Sequence, residues 1–153
     1  MGEGKDKICW CMKQKRGISF IDAKPHLSDS YIREADETLD NVLVTKGKWK
    51  VITAYYACYN ALYSILMKCG IKSEIHDCTI ELMSLFDFDV SDIEYIGKLK
   101  QDRINVQYYL KEIRLENTDD VKRFIVKCKQ ILNGLSSFEI EDVRESLSSK
   151  EGI

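Results

Sequence analysis

Apolar positions along this chain recur every three or four residues almost throughout, the spacing that puts side chains on one face of an α-helix. Tyr31, Ala35, Leu39 and Val42 form one such series, predicting a helix over residues 28–44 that Ser28 and Asp29 can cap. Gly47 separates it from a second helix over 48–69, closed by Gly70 at the position where helices favour glycine. A third is expected over 74–86. Ser91 and Glu94 have capping-box spacing at the start of a fourth, which runs to about Leu110. Thr118, Asp119 and Asp120 open a fifth, in which Val121, Ile125, Cys128, Ile131 or Leu132, and Leu135 keep phase. Ser136 and Glu139 repeat the capping pattern before a short terminal helix. Strand patterns are almost absent. GISFIDA, residues 17–23, is the one plausible extended stretch and is expected to lie as a strap over the bundle. The chain reads as all-α, an up-and-down bundle of about five helices. Its expected parts are an N-terminal strap (1–27), the bundle (28–137) and an acidic C-terminal helix or tail (138–153).

The second helix departs from the amphipathic rule. AYYACYNALYSILMKCGIKSEIH occupies residues 54–76, and no charged residue occurs over 51–67. Such a run is about one membrane span at the short end of the usual range. It nevertheless contains Thr53, Asn60 and Ser64, and its neighbours are all amphipathic. A helix apolar all round among amphipathic ones is the buried centre of a bundle. Its tyrosines suit that place, each bringing a large apolar body and one hydroxyl that needs a partner. A cofactor box is the other reading of the same residues; a plain core is the simpler one.

Composition narrows the function classes. With 44% apolar and 31% charged residues the chain reads as globular, and a net charge of −2 supplies no global field toward nucleic acid. The ends are asymmetric: residues 1–16 carry five basic against two acidic side chains, and residues 139–153 two basic against five acidic. Two solvated tails are the simpler reading of this, and contacts between the tails and neighbours the other. ICWCM is too short an apolar run for a secretory signal and is followed by KQKR, so a cytoplasmic protein is expected. The six cysteines, at 9, 11, 58, 69, 78 and 128, are then expected to be reduced, unless a hyperthermophile source oxidises some. Cys9 and Cys11 are the only close pair and lack the second pair a zinc site needs, so neither metal nor cofactor is expected.

The fourth helix carries a residue out of place. Wound at about 100° per residue, Ile93, Ile96, Leu99, Ile104, Val106 and Leu110 share one arc, while Lys98, Gln101, Asp102 and Asn105 lie opposite. Arg103 falls inside the apolar arc, with Gln107 beside it and Tyr108 at its edge. This phase assumes an unbroken helix through Gly97. A guanidinium there keeps its proton and is costly to bury alone. It requires a carboxylate, a subunit seam or a bound anion such as phosphate, which it can grip with two parallel hydrogen bonds.

The tyrosine helix, Arg103 and the helix count together resemble the HEPN family (higher eukaryotes and prokaryotes nucleotide-binding domain). The matching residues are Ala54, Tyr55, Tyr56, Ala57, Tyr59, Ala61, Leu62, Ile65, Leu66, Lys68, Gly70, Ile71 and His76, and the resemblance covers about residues 28–135. It implies a helical bundle paired into a symmetric homodimer. Many such proteins are metal-independent ribonucleases, often toxins made beside a minimal nucleotidyltransferase antitoxin. Their site is an Arg, four to six residues, then a His, assembled across the dimer cleft. Arg103 matches the Arg, with Asp102 and Asn105 in the right neighbourhood. The His is missing: position 108 is Tyr. The tyrosine that some toxins carry two places further on falls at Leu110 here and is not carried over.

That departure bears on catalysis. Attack by a ribose 2′-hydroxyl needs a group that exchanges protons near neutrality. Tyrosine is ionised in about one molecule per thousand at pH 7, a deficit of about 4 kcal/mol as a base. Tyr108 can instead donate a hydrogen bond or stack on a base. His76 is a substitute proton carrier, although a lone histidine after a helix end is ordinarily a cap or surface group; His26, beside Pro25, is a weaker one. The leading expectation is a dimeric nucleotide- or RNA-binding protein, non-catalytic or weakly active, partnered with a minimal nucleotidyltransferase. Arg103 would hold phosphate, with Asn105, Gln107 and Tyr108 lining the cleft. The alternatives are a metal-independent endoribonuclease toxin using Arg103 with Tyr108 or His76, and a structural dimerisation bundle in which Arg103 is an internal ion pair.

Overall fold

The computed structural model describes residues 3–151 of the 153, with side-chain surroundings from Lys7 onward. The charge asymmetry expected at the N-terminus rests partly on Glu3, Lys5 and Asp6, whose side chains lie outside the described residues. Among the described residues the chain is mostly helical. In order it forms α1 (Glu3–Lys13), β1 (Ile18–Phe20), α2 (Pro25–Val44), α3 (Lys48–Cys69), β2 (Ile71–Ser73), α4 (His76–Glu81), a 3₁₀ turn (Leu82–Leu85), α5 (Val90–Tyr108), α6 (Thr118–Gly134) and α7 (Ser137–Ser148). Among the described residues seven α-helices therefore stand where about five were expected.

Helix α3, uncharged over residues 51–67, is the centre, packed by α2, α5, α6 and α7. One core joins its Ala54, Tyr55, Cys58, Leu62 and Ile65 to Ala35 and Val42 of α2, Ile96 and Leu99 of α5, and Val121, Phe124 and Ile125 of α6. A second core covers the other end of α3, where Leu66, Met67 and Cys69 meet Ile8 and Cys11 of α1, Ile18 of β1, and Val143 and Leu147 of α7. No helix among the described residues is long and apolar enough to cross a membrane.

Gly70 ends α3 in the left-handed region, φ 70°, where only glycine rests without strain. The carbonyls freed there accept from Arg144 of α7, whose Nη1 lies 2.9 Å from Cys69 O and 2.8 Å from Gly70 O. The chain then turns into β2, which pairs antiparallel with β1, Ile18 opposite Ser73 and Phe20 opposite Ile71. The expected strap is thus a strand held to the end of α3.

Four expectations need correction. Residues 1–27 hold a helix, α1, whose burial rests on little more than Ile8 and Cys11, too sparse a pattern to read as periodic. The helix expected over 74–86 begins only at His76, because Ile71 to Ser73 are taken up by the strand pairing, and it tightens into the 3₁₀ turn after Glu81. Helix α2 starts at Pro25 rather than at a Ser28 cap; Ser28 is buried and its hydroxyl donates to Ser64 O at 2.7 Å. Helix α5 is capped reciprocally by Asp89 and Asp92 rather than by Ser91 and Glu94. It does run unbroken through Gly97, so the phase that turned Arg103 inward holds.

The cysteines are not all reduced. Cys11 of α1 and Cys78 of α4 form a disulfide, while Cys9, Cys58, Cys69 and Cys128 are free. The two ends sit 67 residues apart in sequence, and local spacing carried no sign of the pairing.

Candidate functional site

Helices α3 and α5 lie side by side, and Arg103 projects from α5 onto the tyrosines of α3. The residue is only 7% exposed. Its guanidinium carbon sits 4.9 Å from the centre of the Tyr55 ring and 5.5 Å from that of Tyr56, so the cation rests on two aromatic faces. Nη1 donates to Gln107 Oε1 at 3.2 Å, one turn along α5, and weakly to the Tyr56 hydroxyl at 3.4 Å. Nε is buried with no hydrogen-bond partner. No carboxylate among the described residues lies within ion-pair distance of Arg103. The internal ion pair that the sequence left open does not form there.

The other tyrosines of α3 are satisfied one by one. Tyr55 hydroxyl lies 2.7 Å from His76 Nδ1, and Tyr59 hydroxyl 3.0 Å from Thr79 Oγ1. Tyr63 hydroxyl accepts from the Ser73 N–H at 3.2 Å. His76 stacks on Tyr59 with ring centres 4.2 Å apart. These contacts place the first turn of α4 against α3, and the disulfide at Cys78, two residues beyond His76, ties that turn to α1. His76 and Arg103 therefore flank the same Tyr55 ring.

Electrostatics follow from this crowding. Burial, then the charges of Arg103 and Lys100, hold the His76 pKa below its ordinary value, with Asp77 opposing. The imidazole is accordingly neutral at neutral pH. Burial pushes the Tyr55 phenol far up and that of Tyr59 up to about 12, so both remain protonated donors. Lys100 binds Asp77 at 2.8 Å, and this bond holds the Asp77 carboxyl below its usual range. The locality thus has one uncompensated cation, one neutral imidazole and a ladder of neutral phenols. It can receive an anion, and it offers one group able to exchange protons.

Of the residues singled out in the sequence, Arg103, Gln107 and His76 come together. Tyr108 does not: it is 66% exposed at the end of α5, with no hydrogen bond or ring contact to Arg103. Asn105 lies on the other flank of α5, its Oδ1 accepting from Gln101 at 3.2 Å. Asp102 is paired to Lys98 at 3.0 Å. Tyr55, Tyr56 and Lys100 belong to the locality too; the two tyrosines were read as core, and Lys100 was not singled out. Lys100 precedes Arg103 by three residues on one helical face, a spacing that could have shown it. Among the described residues no three His, Cys, Asp or Glu side chains gather as a metal site.

No protein-family model matches this chain, and no curated protein matches it.

Proposed function

We propose that this protein binds the phosphates of RNA or a nucleotide on Arg103, acting as a HEPN-like symmetric homodimer beside a minimal nucleotidyltransferase, with little or no turnover. One observation carries the reading: a permanently charged guanidinium, nine-tenths buried, with no carboxylate among the described residues in ion-pair range and Nε without a partner. A cation in that state gains most from an anion that arrives from outside, and phosphate matches its paired donors. Gln107 and Tyr56, both exposed beside it, are placed to accept or donate to the same ligand. The reading of little turnover is supported by Tyr108, at the place of the missing histidine, standing apart from Arg103.

The second reading, a metal-independent ribonuclease, is favoured by the neutral His76 against Tyr55 under the same guanidinium. Single-stranded RNA incubated with the chelator-treated protein separates the two. The first reading expects binding that is lost in Arg103→Ala and no new RNA ends. Cleavage that disappears in both Arg103→Ala and His76→Ala would select the ribonuclease. Equal RNA and nucleotide binding by wild type and Arg103→Ala would refute both.

A further inference from the structure

Around the α2–α3 turn the charge balance of the protein reverses. Two adjoining grooves share Gly47 and Arg114. The larger, about 680 Å³, lies between that turn and the extended segment following α5, and includes Lys48, Lys111 and Arg114; the other adds Lys46 and Lys50. Five cations thus face one locality against a single lining carboxylate, Glu112, in a chain whose net charge is −2. None of the five is within ion-pair distance of a carboxylate among the described residues. Arg114 also stands at the edge of a neighbouring groove containing Asp102 and Glu116, so the basic field ends on that side.

Aromatic residues adjoin these cations along the chain, next to the grooves' lining residues rather than among them. Trp49, between Lys48 and Lys50, is 58% exposed, and Lys48 Nζ lies 5.4 Å from its ring centre. Tyr108 and Tyr109, at the end of α5, are more exposed still. Just beyond them Leu110, three-quarters exposed, holds φ 53° and redirects the chain into the groove wall. A leucine in that backbone region is strained, and no burial compensates it.

We infer that this groove binds single-stranded nucleic acid, the lysines and Arg114 taking backbone phosphates and the exposed rings of Trp49, Tyr108 and Tyr109 stacking on unpaired bases. Cations that track a backbone and rings that offer bare faces are the two elements of sequence-tolerant single-strand binding. A duplex would satisfy the cations and leave the rings unused. The site is separate from Arg103, but Val106, which lines the groove, lies one helical turn from it, about 5 Å along α5. One strand can therefore reach both.

The test uses full-length protein carrying Trp10→Phe, so that Trp49 is the sole tryptophan, and titrates it with a twelve-nucleotide oligouridine. Expected results are quenching of Trp49 and an affinity that falls with salt at a log–log slope of about −3 to −4 for five phosphate contacts. Lys48→Glu with Arg114→Glu, both exposed side chains, is expected to weaken binding at least tenfold, and Trp49→Ala to abolish the optical signal while weakening affinity several-fold. Lys111→Glu should reproduce the first effect should the double variant be poorly folded. Inorganic polyphosphate or a duplex binding as tightly as oligouridine would overturn the inference in favour of a general polyanion surface. Unchanged binding in the charge-reversed variants would also overturn it. Arg103→Ala forms a separate arm: loss of binding there with no loss in the groove variants would leave the Arg103 reading standing and remove this one.

Discussion

Replacing Arg103 with Met removes the charge and leaves an unbranched side chain between the rings of Tyr55 and Tyr56. The losses can be set out contact by contact. Two cation–π contacts of about 0.5–1 kcal/mol each disappear, and so do the 3.2 and 3.4 Å hydrogen bonds from Nη1, worth about 0.5–1.5 kcal/mol each at these lengths. Gln107 and Tyr56 are exposed, so water replaces the bond they lose. On the other side, the buried unpartnered Nε ceases to cost about 1–3 kcal/mol, and a charge whose desolvation costs several kcal/mol is gone. The variant is expected to range from as stable as wild type to about 2 kcal/mol more stable in phosphate-free buffer, a rise of up to about 8 °C for a domain of this size. Urea or thermal unfolding measures this. With a nucleotide present at about a hundred times its dissociation constant, wild type should gain about 2.7 kcal/mol and the variant nothing. A loss above about 3 kcal/mol in phosphate-free buffer, the signature of a broken buried ion pair, would refute the reasoning.

Removing the disulfide with Cys11→Ser and Cys78→Ser should lower stability by about 4 kcal/mol, the loop-closure value for a separation of 67 residues, read by urea unfolding; no change would show that the bond does not constrain the chain. Gly70→Ala places a side chain at φ 70° and brings its Cβ to 2.5 Å from Ile21 O and Arg144 Nη1, so a loss of about 2–4 kcal/mol is expected in the same assay. His76 predicts a pH dependence. Its pKa lies below 6.5 when folded, so the unfolded chain binds more protons below that value; its stabilisation is complete above pH 6.5 and shrinks as the pH falls. His76→Gln should flatten that part of the stability profile, and an unaltered slope would contradict the buried neutral imidazole.

Local patterns carried the helices that bury a continuous face. Helix α3 and its Gly70 end were legible because an uncharged run closed by glycine admits few alternatives, and Arg103 was legible because one charged residue breaks an apolar arc. What could not be read depends on partners distant in sequence. Helix α1 is fixed by the disulfide and by packing on α4 and β1 more than by its own periodicity. The segment around Glu74 has a fair helical pattern, but pairing of Ile71 to Ser73 with Ile18 to Phe20 overrides its beginning. His76 met Tyr55 through that same rearrangement. That no carboxylate among the described residues pairs with Arg103 could be learned only from where the acids fall, in a chain with 25 of them.

The most direct measurement is of the Arg103 guanidinium itself. In protein labelled with ¹⁵N-arginine, its side-chain resonances can be assigned by their disappearance in Arg103→Lys and followed while single-stranded RNA is added. A phosphate bound there is expected to shift the Nη signals and slow their exchange with water, saturating with the same midpoint as binding measured by calorimetry. Calorimetric binding with the Arg103 resonances unmoved would contradict the account.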